Sequence, residues 1–509
     1  AAGAAGAAGA AGAAGAAAGA AAGAAAGAAA GAAGAAAGGA GAEPPRSGLI
    51  SPPSPPSGER GAGGGRGLPP VIAPFGGQTA INLAAPLERA GAPVIGSSVR
   101  TIDLAEDRRK FELFLDGLGI PQPPGAGVTS VRDALTVAQH IGYPVLVRPS
   151  YVLGGRAMEI ITGPQDLERY LHTVTPPTEK LPVLVDKYLQ GREVEVDAIS
   201  DGESTLIPGI MEHIERAGVH SGDSFAVYPG INLTEENVEQ LVDYSHRIAT
   251  GLEVRGLVNI QYVIFQGQVY VLEVNPRSSR TVPFLSKVTG VPMVRLATHI
   301  QLGKTLRELG YPGGLWPRQR LVAVKAPVFS MSKLVGVDTY LGPEMKSTGE
   351  VMGIDRTFAP ALYKAMLAAG INPTPGGLLL SIADRDKDAA VPVIKQFAAA
   401  GYSLIATPGT AALIASLGLP VRKVGKLSDG DSAITDLIRE GQVHLVINTV
   451  TGGRPVLQDG FEIRRAAVES RIPCLTSLDT ANALAASLTI ADGQYEVLPI
   501  TEYTRPPLA

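Results

Sequence analysis

The amino-acid sequence predicts an α/β protein with two folded parts and a disordered start. Between residues 378 and 487, five short apolar stretches alternate regularly with helical segments, which is typical of a parallel sheet with helices on both faces. Residues 258–265 and 269–275 are β-branched and aromatic runs that break at residues 266–268, which predicts a hairpin with a three-residue turn. Residues 1–42 are almost entirely Ala and Gly, and this composition predicts disorder because nothing larger is present to bury.

Residues 1–66 form a low-complexity segment. Ala/Gly repeats are followed by residues 43–66, which are rich in Pro, Gly, Ser and Arg. Each Gly costs a helix about 1 kcal/mol relative to Ala, so the repeats favour disorder; an artefact of reading GC-rich DNA outside a gene start is the alternative. The segment lacks the basic start and apolar core of a signal peptide, and the sequence has no strongly apolar span of about 20 residues. We therefore expect a cytoplasmic protein.

Charge and cysteine content exclude several classes of protein. The 509 residues carry a formal net charge of −4 at pH 7 and an isoelectric point near 6.1, which gives no general attraction to nucleic acid or membrane. Cys474 is the only cysteine. It excludes an internal disulfide framework and a Cys-based zinc site, in agreement with a reducing compartment.

The globular pattern begins at Leu68 and is not uniform. Residues 68–100 predict one β-turn-α-β unit, which is too small to bury both faces of a sheet, so we expect a truncated remnant. Residues 101–118 predict a helix capped by Asp103; its apolar stripe consists of Leu104, Phe111, Phe114 and Leu115. The Gly/Pro-rich section 304–376 predicts irregular structure and a linker. The expected regions are 1–66, 68–100, 101–303, 304–373 and 374–509.

The predicted hairpin sets a carboxylate and two amides on one face. A turn centred on Gly267 places Gln261 opposite Glu273 and Asn259 opposite Asn275, within one residue for a bulge. Glu273 and Asn275 are two apart, so they point to the same side as Gln261. A carboxylate with two amide oxygens suits Mg²⁺ or Mn²⁺. An ordinary amphipathic hairpin with a polar outer face is the alternative.

Three further segments are candidates for nucleotide contact. Arg148 leads into a loop with the pair Gly154-Gly155, whose backbone N–H groups can approach phosphate oxygens beside a forked donor; an ordinary turn is the alternative. Residues 183–189 and 193–197 alternate as strands do, and the first part can supply backbone groups to an adenine edge; a solvated acidic face is the alternative. Residues 218–224 form a polar, glycine-containing loop.

Together, five motifs resemble the carboxyl-terminal half of the carbamoyl-phosphate synthase large subunit. These motifs lie at residues 105–111, 148–159, 209–224, 273–277 and 347–353. The resemblance extends from about residue 68 to the end. It implies an α+β ATP-grasp domain followed by a Rossmann-like, methylglyoxal-synthase-like regulatory domain.

The resemblance also implies roles for individual residues. Arg277 and Arg280 would orient the transferred phosphoryl group and carbamate. The implied ATP contacts on phosphates are Arg108 and Arg148, with Gly154 and Gly155 in the loop after Arg148. The implied adenine contacts are Lys187 and Leu189, and the implied ribose contact is Glu193. Further implied ATP contacts are Gly218, Val219, His220, Ser221, Gln261 and Glu273. The implied ligands of Mg²⁺ or Mn²⁺ are Gln261, Glu273 and Asn275.

A second site is implied in the carboxyl-terminal region. Residues 407–410 form a Thr-Pro-Gly-Thr strand-to-helix turn that can present hydroxyls and helix N–H groups to a phosphate. The implied allosteric residues are Thr407, Thr410, Lys423 and Asn448, with UMP as a typical effector. Val450 departs from the Thr common in the family. Ala326 replaces an acidic ligand of ornithine-responsive relatives, so ornithine activation is not expected although Glu215 and Asp223 remain.

The function implied is that of an ATP- and Mg²⁺-dependent ligase, a glutamine-hydrolysing carbamoyl-phosphate synthase serving pyrimidine and arginine biosynthesis. Its implied partners are a glutaminase small subunit and the amino-terminal, bicarbonate-phosphorylating half, which has no counterpart in these residues; a homo-oligomer stays open. Two alternatives remain. One is a catalytically inactive fragment whose carboxyl-terminal domain only binds nucleotide. The other is a different ATP-grasp carboxylate ligase such as biotin carboxylase, against which the 148–158 loop and the regulatory domain argue.

Overall fold

Three sheets organise the part of the chain that the structure, a computed structural model, describes. The described residues are 68–149, 157–173, 177–178, 182–333, 337–372, 374–425, 433–449, 454–488 and 495–504. The predictions for residues 1–66, Gly154, Gly155 and Val450 therefore lie outside the described residues. Among the described helices, none is both long and apolar enough to cross a bilayer.

The first described segment contains the expected β-turn-α-β unit and three helices. Val71 and Val94 form a parallel bridge on either side of the first helix. The helices are α1 (Gln78–Arg89), α2 (Val99–Glu106) and α3 (Arg108–Leu118).

The prediction of one helix over 101–118 is wrong, because the chain breaks at Asp107. The carboxylate of Asp107 accepts a hydrogen bond from the backbone of Lys110 at 3.0 Å and so starts α3. Asp103 is not a cap; Ser98 caps α2, and Asp103 pairs with the Lys110 ammonium group at 2.5 Å. An aspartate that caps the following turn interrupts an apolar pattern without a Gly or Pro.

A small antiparallel sheet follows. Its strands are β1 (Gly125–Val128), β2 (Val145–Pro149), β3 (Glu159–Ile161) and β4 (Val183–Lys187), in the order β1-β4-β2-β3. Helices α4 (Val131–Ile141) and α5 (Pro164–Thr173) pack their buried Ala and Leu side chains on it. Val145 lies opposite Ile161, so the two apolar strands around the Arg148 loop pair as predicted.

The largest sheet has eight strands. They are β5 (Arg192–Asp201), β6 (Thr205–Arg216), β7 (Ala226–Tyr228), β8 (Arg255–Phe265), β9 (Gln268–Asn275), β10 (Gly314–Leu315), β11 (Val322–Val328) and β12 (Gly349–Asp355). Seven run in the order β12-β11-β7-β6-β5-β8-β9, and β10 pairs with β6. Its helices are α6 (Glu235–Gly251), α7 (Thr281–Thr289), α8 (Met293–Gln301) and α9 (Phe358–Ala368). The irregular structure predicted for 304–376 is wrong in part, since β11, β12 and α9 lie there and β11 pairs with β7 and β12.

The β8–β9 hairpin confirms the predicted register but not the predicted turn. Phe265 pairs with Gln268, so the turn has two residues. Gln266 and Gly267 have φ of 51° and 82°, the left-handed values that a tight hairpin turn requires. A bulge follows Gln261, where Tyr262 pairs with Val271 and Leu272 is extra, and this shift brings Gln261 opposite Glu273.

The third sheet confirms the predicted parallel arrangement. Its strands are β13 (Gly377–Ser381), β14 (Ser403–Ala406), β15 (Arg422–Lys423), β16 (Leu445–Asn448) and β17 (Cys474–Leu475), in the order β15-β14-β13-β16-β17. The helices are α10 (Lys387–Ala399), α11 (Pro408–Ser416), α12 (Ala433–Arg439), α13 (Arg454–Glu469), α14 (Leu478–Ser487) and α15 (Ile500–Thr504). Leu378 and Leu380 pack against Phe397, whereas Leu379 packs on the opposite face against Ile438. Both faces are therefore covered by helices.

Candidate nucleotide and metal site

The β8–β9 hairpin brings the predicted metal ligands to one face of the largest sheet. Gln261 lies opposite Glu273, and Asn259 opposite Asn275. The Asn275 amide nitrogen donates to Glu273 Oε1 at 3.0 Å. On the neighbouring strand β5, Glu195 pairs with Gln261, so a row of polar side chains crosses three strands.

Two arginines follow the hairpin. Arg277 Nη2 donates to Asn275 Oδ1 at 3.1 Å. Arg280, exposed at the start of α7, donates from Nη1 to Ser347 Oγ at 2.9 Å. The structure therefore places both predicted orienting arginines at the same end of the hairpin as Glu273.

The donor set fits a hard divalent cation. Gln261, Glu273 and Asn275 carry one carboxylate and two amide groups on one face, and Mg²⁺ prefers oxygen ligands of this kind. Arg277 occupies the Asn275 oxygen, so a cation bound there would replace that hydrogen bond. Among the described residues, no group of three His, Cys, Asp or Glu side chains is arranged to hold a metal.

The polar loop predicted to contact nucleotide lies against the hairpin. Gln261 Nε2 donates to Ser221 Oγ at 3.0 Å, and a short 3₁₀ turn spans Ser221–Asp223. Gly218 has φ of 110°, which favours glycine, and Val219 is half-buried beside it. The His220 Nδ1 accepts from the backbone of Gly222 at 3.0 Å.

His220 is held in its neutral form. Burial lowers the pKa of His220, although the nearby carboxylates of Glu273 and Asp223 oppose this shift. An uncharged imidazole can accept the hydrogen bond that the loop uses.

The two arginines predicted to hold phosphates meet at one carboxylate. Arg108 Nη2 donates to Asp186 Oδ1 at 3.1 Å, and its Nε donates to Glu112 at 2.6 Å. Arg148 Nε lies 3.9 Å from Asp186 Oδ2. Both guanidinium groups are mostly buried, and Asp186 and Glu112 are the carboxylates that face them.

The residues predicted near adenine and ribose lie on β4, on β5 and in the short link between them. Lys187 Nζ donates to the carbonyls of Gly142 and Tyr143 at 2.9 and 3.0 Å. Leu189 is buried against Val263. Glu193 is buried as well, and burial raises its pKa to about 7 in spite of the opposing His213.

The sequence analysis missed a buried ionic cluster on the same sheet face. Lys325 is 2% exposed, and its Nζ lies 3.2 Å from Glu195 Oε1 and 3.8 Å from Glu350 Oε1. Thr281 donates to Glu195 at 2.6 Å, and His213 lies between Glu193 and Glu195 at 3.6 and 3.9 Å. The signal in the sequence was a Lys inside an apolar run and acidic residues at every second position of β5.

Three of the four predicted allosteric residues lie at the carboxyl ends of parallel strands, and Thr410 lies in the first turn of α11. Thr407 directly precedes α11 just after β14, Lys423 ends β15 beside Ala406, and Asn448 ends β16. Thr410 Oγ1 accepts from the backbone of Ile382 at 3.0 Å. Ligand crevices in parallel sheets form at this edge.

Lys387 is a further cation at this edge that the sequence analysis missed. A Cβ placed on Gly409 would lie 3.1 Å from Lys387 Nζ, so the ammonium group reaches the amino-terminal turn of α11. Its position at the start of α10, after β13, was readable from the strand-helix alternation.

Comparison with known proteins identifies the class. Residues 107–309 match the family described as carbamoyl-phosphate synthase L chain, ATP binding domain, and residues 389–476 match the MGS-like domain. The protein thus joins an ATP-grasp domain to an MGS-like domain. In particular, it resembles the carbamoyl-phosphate synthase large chain, as its motifs predicted: it is 60% identical over 438 residues to that protein from Thermomicrobium roseum. The match covers 86% of this chain and 41% of the relative.

Two solved structures show a more distant likeness. The biotin carboxylase complex from Campylobacter jejuni has 18% identity and a TM-score of 0.46, covering 57% of this chain and 71% of that one. The biotin carboxylase domain of 2-oxoglutarate carboxylase from Hydrogenobacter thermophilus has 19% identity and a TM-score of 0.45, covering 57% and 70%.

Proposed function

We propose that this chain supplies the carbamate-phosphorylating step of a carbamoyl-phosphate synthase, using ATP and a divalent cation. The observation that carries the proposal is the convergence of Glu273, Arg277 and Arg280 with the 218–224 loop at one end of the β8–β9 hairpin. Phosphoryl transfer requires positioning and charge neutralisation more than covalent chemistry. This arrangement supplies both.

Each group has a distinct task in the proposed reaction. Arg108 and Arg148 both pair with Asp186 in the structure. In the proposed reaction, the nucleotide phosphates take the place of Asp186 as the partners of both guanidinium groups. Arg277 and Arg280 orient the carbamate and the transferred phosphoryl group. The adenosine lies against Lys187, Leu189 and Glu193, and its ribose hydroxyls contact Glu193.

Gln261, Glu273 and Asn275 are the residues that would hold Mg²⁺, or Mn²⁺ in its place. When bound there, the cation neutralises phosphate charge. The buried Lys325 holds Glu195 ionised next to Gln261 and so adds a fixed charge to the wall of the site.

The rest of the proposed enzyme follows from the likeness. The chain spans 41% of the length of its relative, and we infer that a glutaminase subunit and a bicarbonate-phosphorylating unit act with it. A nucleoside monophosphate such as UMP would bind at Thr407, Thr410, Lys423 and Asn448 and regulate the reaction. The setting proposed is cytoplasmic pyrimidine and arginine biosynthesis.

The reverse reaction tests the proposal without the other units. The purified chain should form ATP from carbamoyl phosphate and ADP in the presence of Mg²⁺. Glu273→Gln should lower the rate at least about 100-fold, because the ligand set loses its only carboxylate. Glu239→Gln, an exposed substitution on α6, should leave the rate unchanged. A folded parent chain that forms no ATP would refute the proposed step.

A further inference from the structure

A buried arginine joins the crevice of the third sheet to a segment of the ATP-grasp part. Arg464 on α13 is 1% exposed. Its Nη1 donates to Asn448 Oδ1 at 2.6 Å, while Nε and Nη2 donate to the two carboxylate oxygens of Asp338 at 2.6 and 2.5 Å. One guanidinium therefore holds a candidate effector-binding residue and Asp338 at the same time.

Asp338 begins a segment, residues 338–347, that connects Arg464 to the loop at residues 218–224. We call it the crossing segment. The carbonyl of Gly342 accepts from the backbone of His220 at 2.8 Å. The backbone amides of Lys346 and Ser347 donate to the fully buried Asp223 carboxylate, each at 2.8 Å.

Ser347 extends the connection to the reacting end of the site. Its hydroxyl donates to the carbonyl of Gly222 at 2.7 Å and accepts from Arg280 at 2.9 Å. A continuous chain of hydrogen bonds and backbone thus runs from Asn448 through Arg464 and the crossing segment to His220 and Arg280.

The Arg464–Asp338 pair at the centre of this series of hydrogen bonds should make Asn448 and the crossing segment move together. A buried guanidinium needs its partners, since removing one leaves an uncompensated charge. The two-pronged pairing with Asp338 also fixes direction as well as distance. Hydrogen bonds from Arg464 hold the pKa of Asp338 below its usual range although burial opposes this, so the carboxylate stays ionised at neutral pH.

We propose that Asp338 and Arg464 are positioning residues, which couple a nucleoside monophosphate bound at Asn448 to nucleotide affinity at the His220 loop and Arg280. The ligand that engages Asn448 competes with Arg464 for its amide oxygen and so changes how Arg464 holds the crossing segment. The identities of the two ligands rest on the proposed function.

Titration calorimetry of the full chain tests the coupling. MgADP is titrated with and without UMP, and UMP should change the dissociation constant of MgADP at least about 5-fold, a typical coupling between sites. In Asp338→Asn the change should fall below about 2-fold, while each ligand alone still binds within about 3-fold of the parent. Asp436→Asn, which affects an exposed pair with Arg439, should keep the parent coupling.

A second variant covers the case in which Asp338→Asn misfolds. Asp338→Leu combined with Arg464→Met removes both charges together, so the buried position of Arg464 is not left with an unpaired charge. This variant should also lose the coupling. Coupling retained in a folded variant of either kind would overturn the inference.

Hydrogen exchange separates failure of the inference from failure of the proposed function. UMP alone should change hydrogen exchange at the His220, Lys346 and Ser347 amides of the parent. It should not change exchange at these amides in the variant that combines Asp338→Leu with Arg464→Met. This response needs neither ADP nor turnover, so it would support the coupling even if no ATP is formed. Unchanged exchange in a parent that binds UMP would overturn it.

Discussion

At the scale of single residues, the buried Lys325 is the most constrained charge near the site. Burial opposes its charge, yet Glu195 and Glu350 raise the pKa of Lys325, and Lys325 in turn lowers that of Glu195 against burial. The pair is therefore ionised, and each partner depends on the other.

Loss of one partner should cost far more than loss of both. Lys325→Met leaves the Glu195 carboxylate buried without its cation and should destabilise the chain by about 3–5 kcal/mol in urea unfolding. Adding Glu195→Gln should recover at least half of this loss. If the double variant is no more stable than Lys325→Met, the ion pair is not the reason for the loss.

The buried Glu215 carboxyl predicts how the stability of the chain depends on pH. Burial raises its pKa to about 7, while hydrogen bonds from the Thr480 hydroxyl and the Phe225 amide oppose the shift. A carboxyl whose pKa is raised on folding binds a proton more tightly in the native state, so stability falls as pH rises from about 4.5 to about 7. Glu215→Gln should remove roughly 2–3 kcal/mol of this fall, measured by urea unfolding at pH 5 and pH 8. The exposed control Glu88→Gln should keep the full fall in stability. If stability falls equally with pH in Glu215→Gln and in the parent, Glu215 does not have a raised pKa.

At the scale of elements, the hairpin shows what local sequence can and cannot predict. The β-branched runs and Gly267 predicted its existence and the pairing of Gln261 with Glu273. The two-residue turn and the bulge at Leu272 offset each other, and no local pattern specifies a bulge that depends on side chains beneath the sheet. The Lys325–Glu195 pair joins residues 130 apart, so periodicity could not reveal it.

The turn geometry leads to a prediction of opposite signs at two glycines. Gly267→Ala should destabilise the chain by about 1 kcal/mol, because φ is 82° there and an L-residue is strained in this region. Gly117 lies inside α3 with open space around it, so Gly117→Ala should stabilise the chain by up to about 1 kcal/mol. Both are measured by urea unfolding. A neutral Gly267→Ala would argue against the left-handed turn.

At the scale of the molecule, contacts between the regions could not be predicted from the sequence. Strand-helix alternation predicted the parallel sheet, because each unit is local. It could not show that Arg464 reaches Asp338, or that Thr480 donates to Glu215, since each contact depends on how two separately patterned regions pack. The segment 495–504 is a third contact of this kind. It follows the third sheet in sequence but packs on the second.

Tyr503 on α15 anchors that segment. It is 5% exposed in the core beside Phe284 of α7. The Arg356 guanidinium donates to the carbonyls of Glu502 and Tyr503, each at 2.8 Å, and Lys364 Nζ donates to the Tyr503 hydroxyl at 3.0 Å. Because α7 begins directly after Arg280, α15 supports the helix that carries this arginine.

Removing the ring should therefore loosen α7 selectively. Tyr503→Ala should cost about 3–5 kcal/mol in urea unfolding and raise hydrogen exchange in residues 284–289. Tyr503→Phe, which keeps the ring and loses only the hydroxyl, should cost about 1 kcal/mol and leave that exchange nearly unchanged. Exchange in the strands of the third sheet should stay as in the parent for both variants, because their core is formed by other helices. Protection of α7 that survives Tyr503→Ala would mean that its own packing on β6, rather than α15, fixes the position of Arg280.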